Sequence, residues 1–314
     1  MIIGNQTVRS ATGTNNEALQ WQGWDVSAYI GQVAQIRVVD FLTSGFGHTN
    51  IDQISFSDEL ATPQKANWMD YGPDFYAAIP WNGLPLDQRT NIAWMNNWQY
   101  GALIPTSPWR SAMSIPRALS LAKIDGKDMV VQGPKGREFL HQNNDPLIQH
   151  DKCCGGEFSN HWSEITEGVH QLAISGKTRD IDIVFADQSP APGKTPQFGI
   201  ILMASPDWSV QTRVSYDFTT KEILVDRTRS GNVTFADTFA GVYRAPLTAD
   251  QDGLVRVRIL LDWSSVEVFG GQGQSTITAQ IFPPDNATAI ALYSSSTAIE
   301  NVKLSARAVC SVWS

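Results

Sequence analysis

Short runs in which apolar and polar residues alternate recur along most of this chain. Side chains of a β-strand point to opposite faces in turn, so a period of two indicates strands that each bury one face. Clusters of Gly, Pro, Asn and Asp separate the runs, as turns do in all-β proteins. The sequence therefore predicts an all-β fold, with helix limited to a turn or two such as residues 116–122. The clearest alternating runs are residues 34–40, 54–56, 181–185, 255–259 and 265–269.

Composition excludes several classes of partner. The 314 residues are 42% hydrophobic, enough for a large core and about two domains. The formal net charge of -8 is scattered along the chain, which predicts no nucleic-acid and no membrane partner because both need a basic surface. No apolar run has the length of a membrane span. Met1-Ile2-Ile3 is followed by polar residues, so no signal peptide is predicted, and the localisation stays open.

The three cysteines, Cys153, Cys154 and Cys310, are too few for a disulfide framework. The adjacent pair lacks the spacing of a zinc site, and His161 completes no ligand pattern with it. The sequence therefore predicts no metal site and no cofactor.

Residues 68–117 concentrate tryptophan among polar residues. The apolar face of a sugar ring stacks on an indole, and its hydroxyls need partners that donate and accept hydrogen bonds. This run therefore indicates a carbohydrate site, although the same aromatic residues could simply form a β core. The tryptophans are Trp68, Trp81, Trp94, Trp98 and Trp109.

The chain is divided by composition into four segments. Residues 1–60 form a small β module that ends at an acidic, proline-containing joint, and residues 64–132 hold the tryptophan-rich strands. Residues 133–160 are polar and contain several glycines, as a connector does. Residues 161–314 alternate strand and turn to the end, as a β-sandwich does.

Two long motifs carry a family resemblance. One is WMDYGPDFYAA followed by AWMNNWQYG and IPTSPWRSAMSIPR; the other is VDRTRSGNVTFADTF with LVRVRILLDWSSVEVFGGQGQSTITAQIFP. Both resemble glycoside hydrolase family 32, the levanases, exo-inulinases and invertases, over residues 64–314. The resemblance implies a five-bladed β-propeller joined to a β-sandwich. Residues 64–132 then correspond to a remnant of the propeller, its last blade, and residues 161–314 to the C-terminal sandwich.

Residues 1–60 resemble a small jelly-roll-like module attached to some fructosidases. Trp21 and Trp24 are expected inside it or on a sugar-facing edge. His48 and Asp52 could bind a hydroxyl or an ion, or could fix a loop by hydrogen bonds.

The family's three catalytic motifs, WMNDPNG, RDP and EC, are not found in this sequence. WMNNW at 94–98 resembles the first only superficially, and Arg179-Asp180 is followed by Ile181 rather than Pro. Retaining hydrolysis needs a carboxylate nucleophile and a carboxylic acid about 5 Å apart. We therefore expect no catalytic residue in this chain and no hydrolysis by the chain alone.

Substrate contacts are expected on the tryptophan-rich strands. The resemblance places Trp94 in the fructose pocket, and an extended strand through Trp98 presents Asn96 on the same face. Asp74 and Tyr76 are expected to share one side of the neighbouring strand and to line the pocket. The alternative for Trp94 is packing between blades.

Other polar residues are assigned structural roles. Asp70 could replace a catalytic carboxylate, but a loop-capping role before Gly72 is favoured. Arg110 is expected to pair with an acid between blade and sandwich. Asp262 and Glu267 are expected on a solvated strand face.

The resemblance thus implies a retaining hydrolase of fructan or sucrose-type carbohydrate, with the N-terminal propeller part as a possible partner. The alternative is a non-catalytic carbohydrate-binding or structural fragment. The sequence does not discriminate among levan, inulin and sucrose.

Overall fold

The computed structural model describes residues 1–13, 19–41, 47–58, 67–135, 156–190, 193–295 and 298–309. The chain divides into two compact units, Met1–Asn67 and Trp68–Ser314. The described residues are 2% helical and 48% strand, which confirms the predicted all-β fold class. The predictions for Cys153, Cys154 and Cys310 lie outside the described residues.

The first unit contains little regular structure in its described part. Its strands form one antiparallel sheet in the order β2-β1-β3, and a short 3₁₀ helix covers Ser27–Tyr29. The alternating run at 34–40 is a strand only at its first two residues because β1 offers only two residues to pair with, and 54–56 forms no strand. The jelly-roll arrangement of this unit stays a prediction. The strands are β1 (Ile2–Ile3), β2 (Gln6–Thr7) and β3 (Ala34–Gln35).

The second unit begins with an antiparallel sheet in the order β4-β5-β7-β8, with β6 beside β5. Four antiparallel strands are the unit of a propeller blade, and we call this sheet the blade. Residues 116–122 are not helical, because β7 pairs with β8 across a tight turn in which Asp125 and Gly126 have φ of 48° and 78°. The strands are β4 (Tyr76–Pro80), β5 (Thr90–Met95), β6 (Ala112–Met113), β7 (Arg117–Ile124) and β8 (Lys127–Pro134).

Strands extend into the predicted connector at 133–160 from both sides, so the connector is shorter than predicted. Strand β8 continues to Pro134, and strand β9 (Glu157–Ile165) already belongs to a sheet of the sandwich. Residues 136–155 lie outside the described residues.

The rest of the unit forms two antiparallel sheets. The first has the order β10-β19-β12-β13-β14-β15, and the second has the order β18-β17-β16-β11-β20-β9. The strands of the first sheet are β10 (Gly168–Ser175), β12 (Gln197–Ala204), β13 (Gln211–Asp217), β14 (Glu222–Arg229), β15 (Val242–Pro246) and β19 (Ala289–Ser294). Besides β9, those of the second are β11 (Arg179–Ala186), β16 (Leu254–Asp262), β17 (Ser265–Gly270), β18 (Ser275–Gln280) and β20 (Ile299–Ala308).

A single large hydrophobic cluster fills the space between the two sheets. The rings of Phe185 on β11 and Phe198 on β12 meet edge to face, with centroids 4.9 Å apart, and join the sheets at the centre. The alternating runs at 181–185, 255–259 and 265–269 supply inward-facing members of this cluster, as their period predicts.

The blade joins the sandwich along β18, which lies at one edge of the second sheet. The backbone N–H of Tyr71 donates to the carbonyl of Thr276 (2.8 Å), and that of Asp74 donates to the carbonyl of Thr278 (3.3 Å). A Cβ added at Gly72 would lie 2.1 Å from the carbonyl oxygen of Thr278. The segment before β4 thus covers an otherwise exposed strand edge at a distance that only glycine permits.

Candidate carbohydrate-binding site

Three aromatic residues of the blade form a cluster, which we call the aromatic platform. The ring of Trp94 lies 6.0 Å from that of Tyr76 and 5.0 Å from that of Trp98, and the Tyr76–Trp98 distance is 6.4 Å. Tyr76 and Trp94 face each other as register partners on β4 and β5. Trp98 is 75% exposed and Tyr76 is 52% exposed, so the platform presents wide aromatic surface to solvent.

Trp98 reaches the platform because strand β5 ends at Met95. Beyond it the chain turns: the carbonyl of Asn97 accepts from the N–H of Gly101 (2.7 Å), and its side-chain oxygen accepts from the N–H of Gln99 (2.9 Å). The turn brings the indole of Trp98 against that of Trp94. The prediction of one extended strand through Trp98 is therefore wrong, although the two indoles do lie together.

Asn96 does not share the exposed face. Its side chain is buried, its amide donates to the hydroxyl of Ser111 (2.7 Å), and its oxygen accepts from the N–H of Asn97 (2.8 Å). Asn96 thus fixes the turn that carries Trp98. A substrate contact from Asn96 stays a prediction, and both of its side-chain polar atoms are already hydrogen-bonded.

Asp74 is buried whereas Tyr76 is exposed, contrary to the prediction that they share one side of the strand. It is fully buried and accepts from Arg227 (2.7 Å), from the hydroxyl of Tyr100 (2.6 Å) and from the N–H of Gln280 (2.8 Å). Burial raises the pKa of Asp74, and the charge of Arg227 opposes that rise. Asp74 and Arg227 therefore form an ion pair between the blade and the sandwich.

Arg117 forms a second ion pair between the blade and the sandwich, a contact region that we call the joint. Its guanidinium is fully buried and binds the carboxylates of Asp70 (2.9 Å) and Glu267 (2.7 Å). The rings of Phe75 and Phe269 lie 4.1 and 4.9 Å from it. Cation–π contacts of this kind are strongest when desolvated.

Two predictions about these acids have different outcomes. The loop-capping role of Asp70 is confirmed, since its carboxylate accepts from the N–H of Gly72 (2.8 Å). The solvated position expected for Glu267 is wrong, because the blade covers this end of the sheet and the N–H of Ile115 donates to Glu267 (2.8 Å). Burial raises the pKa of Glu267 against the opposing charge of Arg117. Asp262 is exposed, as predicted.

Arg110 does not make the predicted contact across the joint. It donates to the carbonyls of Ala102 (2.6 Å) and Ile104 (3.1 Å) and so fixes the loop between β5 and β6. Among the described residues, no ion pair of Arg110 is found; Arg117 and Arg227 take that role instead.

The structure describes only part of residues 1–60, which we call the accessory module. His48 and Asp52 are both exposed, and Asp52 accepts from the N–H of Gln53 (2.8 Å), a local loop contact. Trp24 is half-buried and Trp21 is 38% exposed. A sugar-facing role for this module stays a prediction.

The acids described between the blade and the sandwich are held in ion pairs. Asp70, Asp74 and Glu267 each bind a buried arginine, and the described ranges contain no group of three or more His, Cys, Asp or Glu residues placed to hold a metal ion. The same ranges contain no helix with the length and hydropathy of a membrane span. The geometry provides an exposed aromatic surface on the blade, and buried ion pairs hold the blade against the sandwich.

Two family models match this chain. "Glycosyl hydrolases family 32 C terminal" matches residues 152–308, and "Glycosyl hydrolases family 32 N-terminal domain" matches residues 37–134. The chain belongs to glycoside hydrolase family 32. The N-terminal match begins inside residues 1–60, so the boundary of the accessory module stays a prediction.

Individual family 32 relatives agree with this assignment. The chain is 48% identical over 311 residues to ecdE of Aspergillus rugulosus, named as a candidate glycosyl hydrolase, covering 99% of this chain and 42% of that protein. It is 35% identical over 256 residues to a levanase of Bacillus subtilis, covering 80% and 35%. The crystal structure of an exo-inulinase from Aspergillus awamori matches with a TM-score of 0.72 and 42% identity, covering 82% and 47%. The chain therefore spans less than half the length of these relatives.

Proposed function

We propose that this chain provides a fructan-binding wall of a fructan-hydrolysing family 32 enzyme, and that the aromatic platform is that wall. The supporting observation is the contact of Tyr76, Trp94 and Trp98 on an exposed surface of the blade. Relatives named levanase and exo-inulinase support a β-fructan as the substrate class. Sucrose is the smaller member of the same class of fructosides.

The platform suits a fructosyl unit for a simple reason. Carbon-bound hydrogens of the ring stack on an indole, while the hydroxyls stay hydrated or find polar partners at the rim. In this proposal Trp94 and Tyr76 contact the sugar, as does Trp98. Asp74 and Asn96 are buried and support the platform without contacting the sugar. Asp74 holds the blade on the sandwich, and Asn96 holds the turn that carries Trp98.

We further propose that the chain by itself binds fructan without cleaving it. Retaining hydrolysis needs two carboxyl groups about 5 Å apart, one of them free to take and give a proton. The sequence contains none of the motifs WMNDPNG, RDP and EC, and the three joint carboxylates are bound to arginines. The catalytic pair is then supplied by the N-terminal propeller part of the family fold, which is the proposed partner.

The binding proposal is tested by electrophoresis of the purified chain in gels that contain inulin or levan. We expect fructan to retard the wild type, and Trp98→Ala to weaken the apparent association by about 3- to 10-fold, a typical loss for one aromatic stacking contact. Trp98 is mostly exposed, so the variant should fold.

The matched control is Leu121→Ala. Leu121 is 75% exposed on the same sheet and lies outside the platform, so its removal should leave retardation unchanged. Equal retardation of wild type, Trp98→Ala and the double variant Tyr76→Ala/Trp98→Ala would rule out the platform as the fructan contact.

A further inference from the structure

An exposed tryptophan lies on a tight turn of the sandwich. Asp262 and Ser265 are register partners on β16 and β17, so Trp263 and Ser264 form a two-residue turn. Turns of this kind favour Gly, Asn, Asp and Ser. Trp263 instead places a 59% exposed indole there. Single exposed apolar residues are common, so exposure alone does not indicate a ligand.

A nearly buried lysine accompanies this indole. The ammonium of Lys177 lies 4.6 Å from the ring centroid of Trp263, and Lys177 is only 6% exposed. Its ion pair with Asp285 is long, at 3.4 Å, and the Asp285 side chain is 97% exposed. The cation fixes the orientation of the indole, since an ammonium is attracted to the ring face. Much of the ring remains open to solvent.

Backbone hydrogen bonds hold the three parts of this site together. The N–H of Ile281 donates to the carbonyl of Ser264 (2.9 Å), which ties the chain after β18 to the turn of Trp263. The N–H of Gly176 donates to the carbonyl of Thr288 (2.9 Å), which ties the turn of Lys177 to the loop of Asp285. A site assembled before the ligand arrives avoids part of the entropy cost of binding.

From this geometry we propose a second carbohydrate-binding site, composed of Trp263, Lys177 and Asp285, that docks polymeric fructan on the sandwich. The indole offers a stacking surface, the ammonium donates to sugar hydroxyls, and the carboxylate accepts from them. Adjacent opposite charges disfavour a strongly charged ligand of either sign and favour a neutral, hydroxyl-rich one. The choice of fructan rests on the proposed function.

The test is affinity electrophoresis in inulin and levan gels with three variants. Trp263→Ala should weaken the apparent association by about 3- to 10-fold. Lys177→Met should weaken the apparent association less than Trp263→Ala does. The indole remains available for stacking and loses only the ammonium that orients it. Val169→Ala is the matched control: Val169 is a 55% exposed apolar residue on the same sandwich and should leave binding unchanged.

A second measurement covers the case in which Trp263→Ala lowers stability. The indole N–H signal of Trp263, identified by its loss in Trp263→Phe, should shift when a short fructo-oligosaccharide is added to the wild type. If the gel shows retardation but this signal does not shift under the same conditions, the second site is overturned.

The two sites fail in distinguishable ways. Weakened retardation for Trp98→Ala with normal retardation for Trp263→Ala overturns the second site and supports the platform. The reverse pattern, with the double variant Tyr76→Ala/Trp98→Ala also retarded normally, overturns the platform and supports the second site. A wild-type chain that is folded yet not retarded by either fructan overturns both.

Discussion

At the scale of single residues, two buried arginines define how the blade is held. Arg117 and Arg227 are both fully buried, and each binds acids of the segment before β4. Removing one member of a buried pair leaves the other charge desolvated without compensation, which costs about 3–5 kcal/mol. These arginines therefore contribute mainly to the specific position of the blade, and through it to the platform.

Arg227→Met is expected to lower the free energy of unfolding by about 3–5 kcal/mol, because Asp74 loses its counter-charge inside the joint. Urea unfolding followed by fluorescence measures it. The double variant Asp74→Asn/Arg227→Met should recover part of the loss.

The matched control is Arg244→Ala, which removes an exposed arginine paired with Glu222 at 3.4 Å and should cost less than about 1 kcal/mol. Similar losses for Arg227→Met and Arg244→Ala would show that the buried pair does not hold the joint.

Asp207 gives a prediction about pH. Hydrogen bonds from the hydroxyls of Ser205 and Ser209 lower its pKa from 3.8 to about 2. The folded state thus favours the ionised form, so this stabilisation is complete above pH 3.8 and is lost as the pH falls towards 2. In an NMR titration Ser205→Ala should raise the pKa of Asp207, whereas Ser264→Ala, in another turn, should leave it unchanged. An unchanged pKa in Ser205→Ala would contradict the assigned cause.

At the scale of elements, the close approach at β18 determines whether blade and sandwich form one body. Gly72 is the critical position because any Cβ there meets the backbone of Thr278. Backbone atoms cannot move aside as a flexible side chain can, so the segment before β4 must shift.

Gly72→Ala is therefore expected to destabilise the chain and to weaken fructan retardation, since the shift reaches β4 and Tyr76. Gly133→Ala is the control: its added Cβ meets nothing within 4 Å. Melting temperature and retardation, measured together, check this. A Gly72→Ala chain with the melting temperature and retardation of wild type would mean that the joint is not closely packed in solution.

The elements also show what the sequence could predict. Periodicity located β11, β16 and β17, because each supplies alternate residues to the core between the two sheets. Periodicity did not identify β7 as a strand; the Asp125-Gly126 turn that follows was the better signal. It failed for residues 34–40, where the partner strand is too short.

The site was predictable only in part, for a related reason. The tryptophan-rich run predicted a carbohydrate site, and the family resemblance pointed to Trp94 and Tyr76. These two residues and Trp98 do lie together. Asp74 and Glu267 were misplaced because their partners, Arg227 and Arg117, are more than 140 residues away in the chain. Nothing local in the sequence marks such a long-range pair.

At the scale of the whole molecule, our proposal gives the chain a sugar-binding surface and a support for that surface, but no pair of catalytic carboxyl groups. The sandwich holds a continuous core, the two arginines hold the blade against it, and the blade carries the platform. Binding and cleavage should therefore separate in this chain. That separation is the central claim about its function.

The most direct test measures both properties on one sample of purified, folded chain. One measurement follows the retention of the chain on inulin and levan. The other follows, over the same hours, the fructose that is released from inulin, levan and sucrose. We predict retention with fructose release no higher than in a protein-free control. Fructose release that rises in proportion to the chain and stays with it through a second purification would contradict the account.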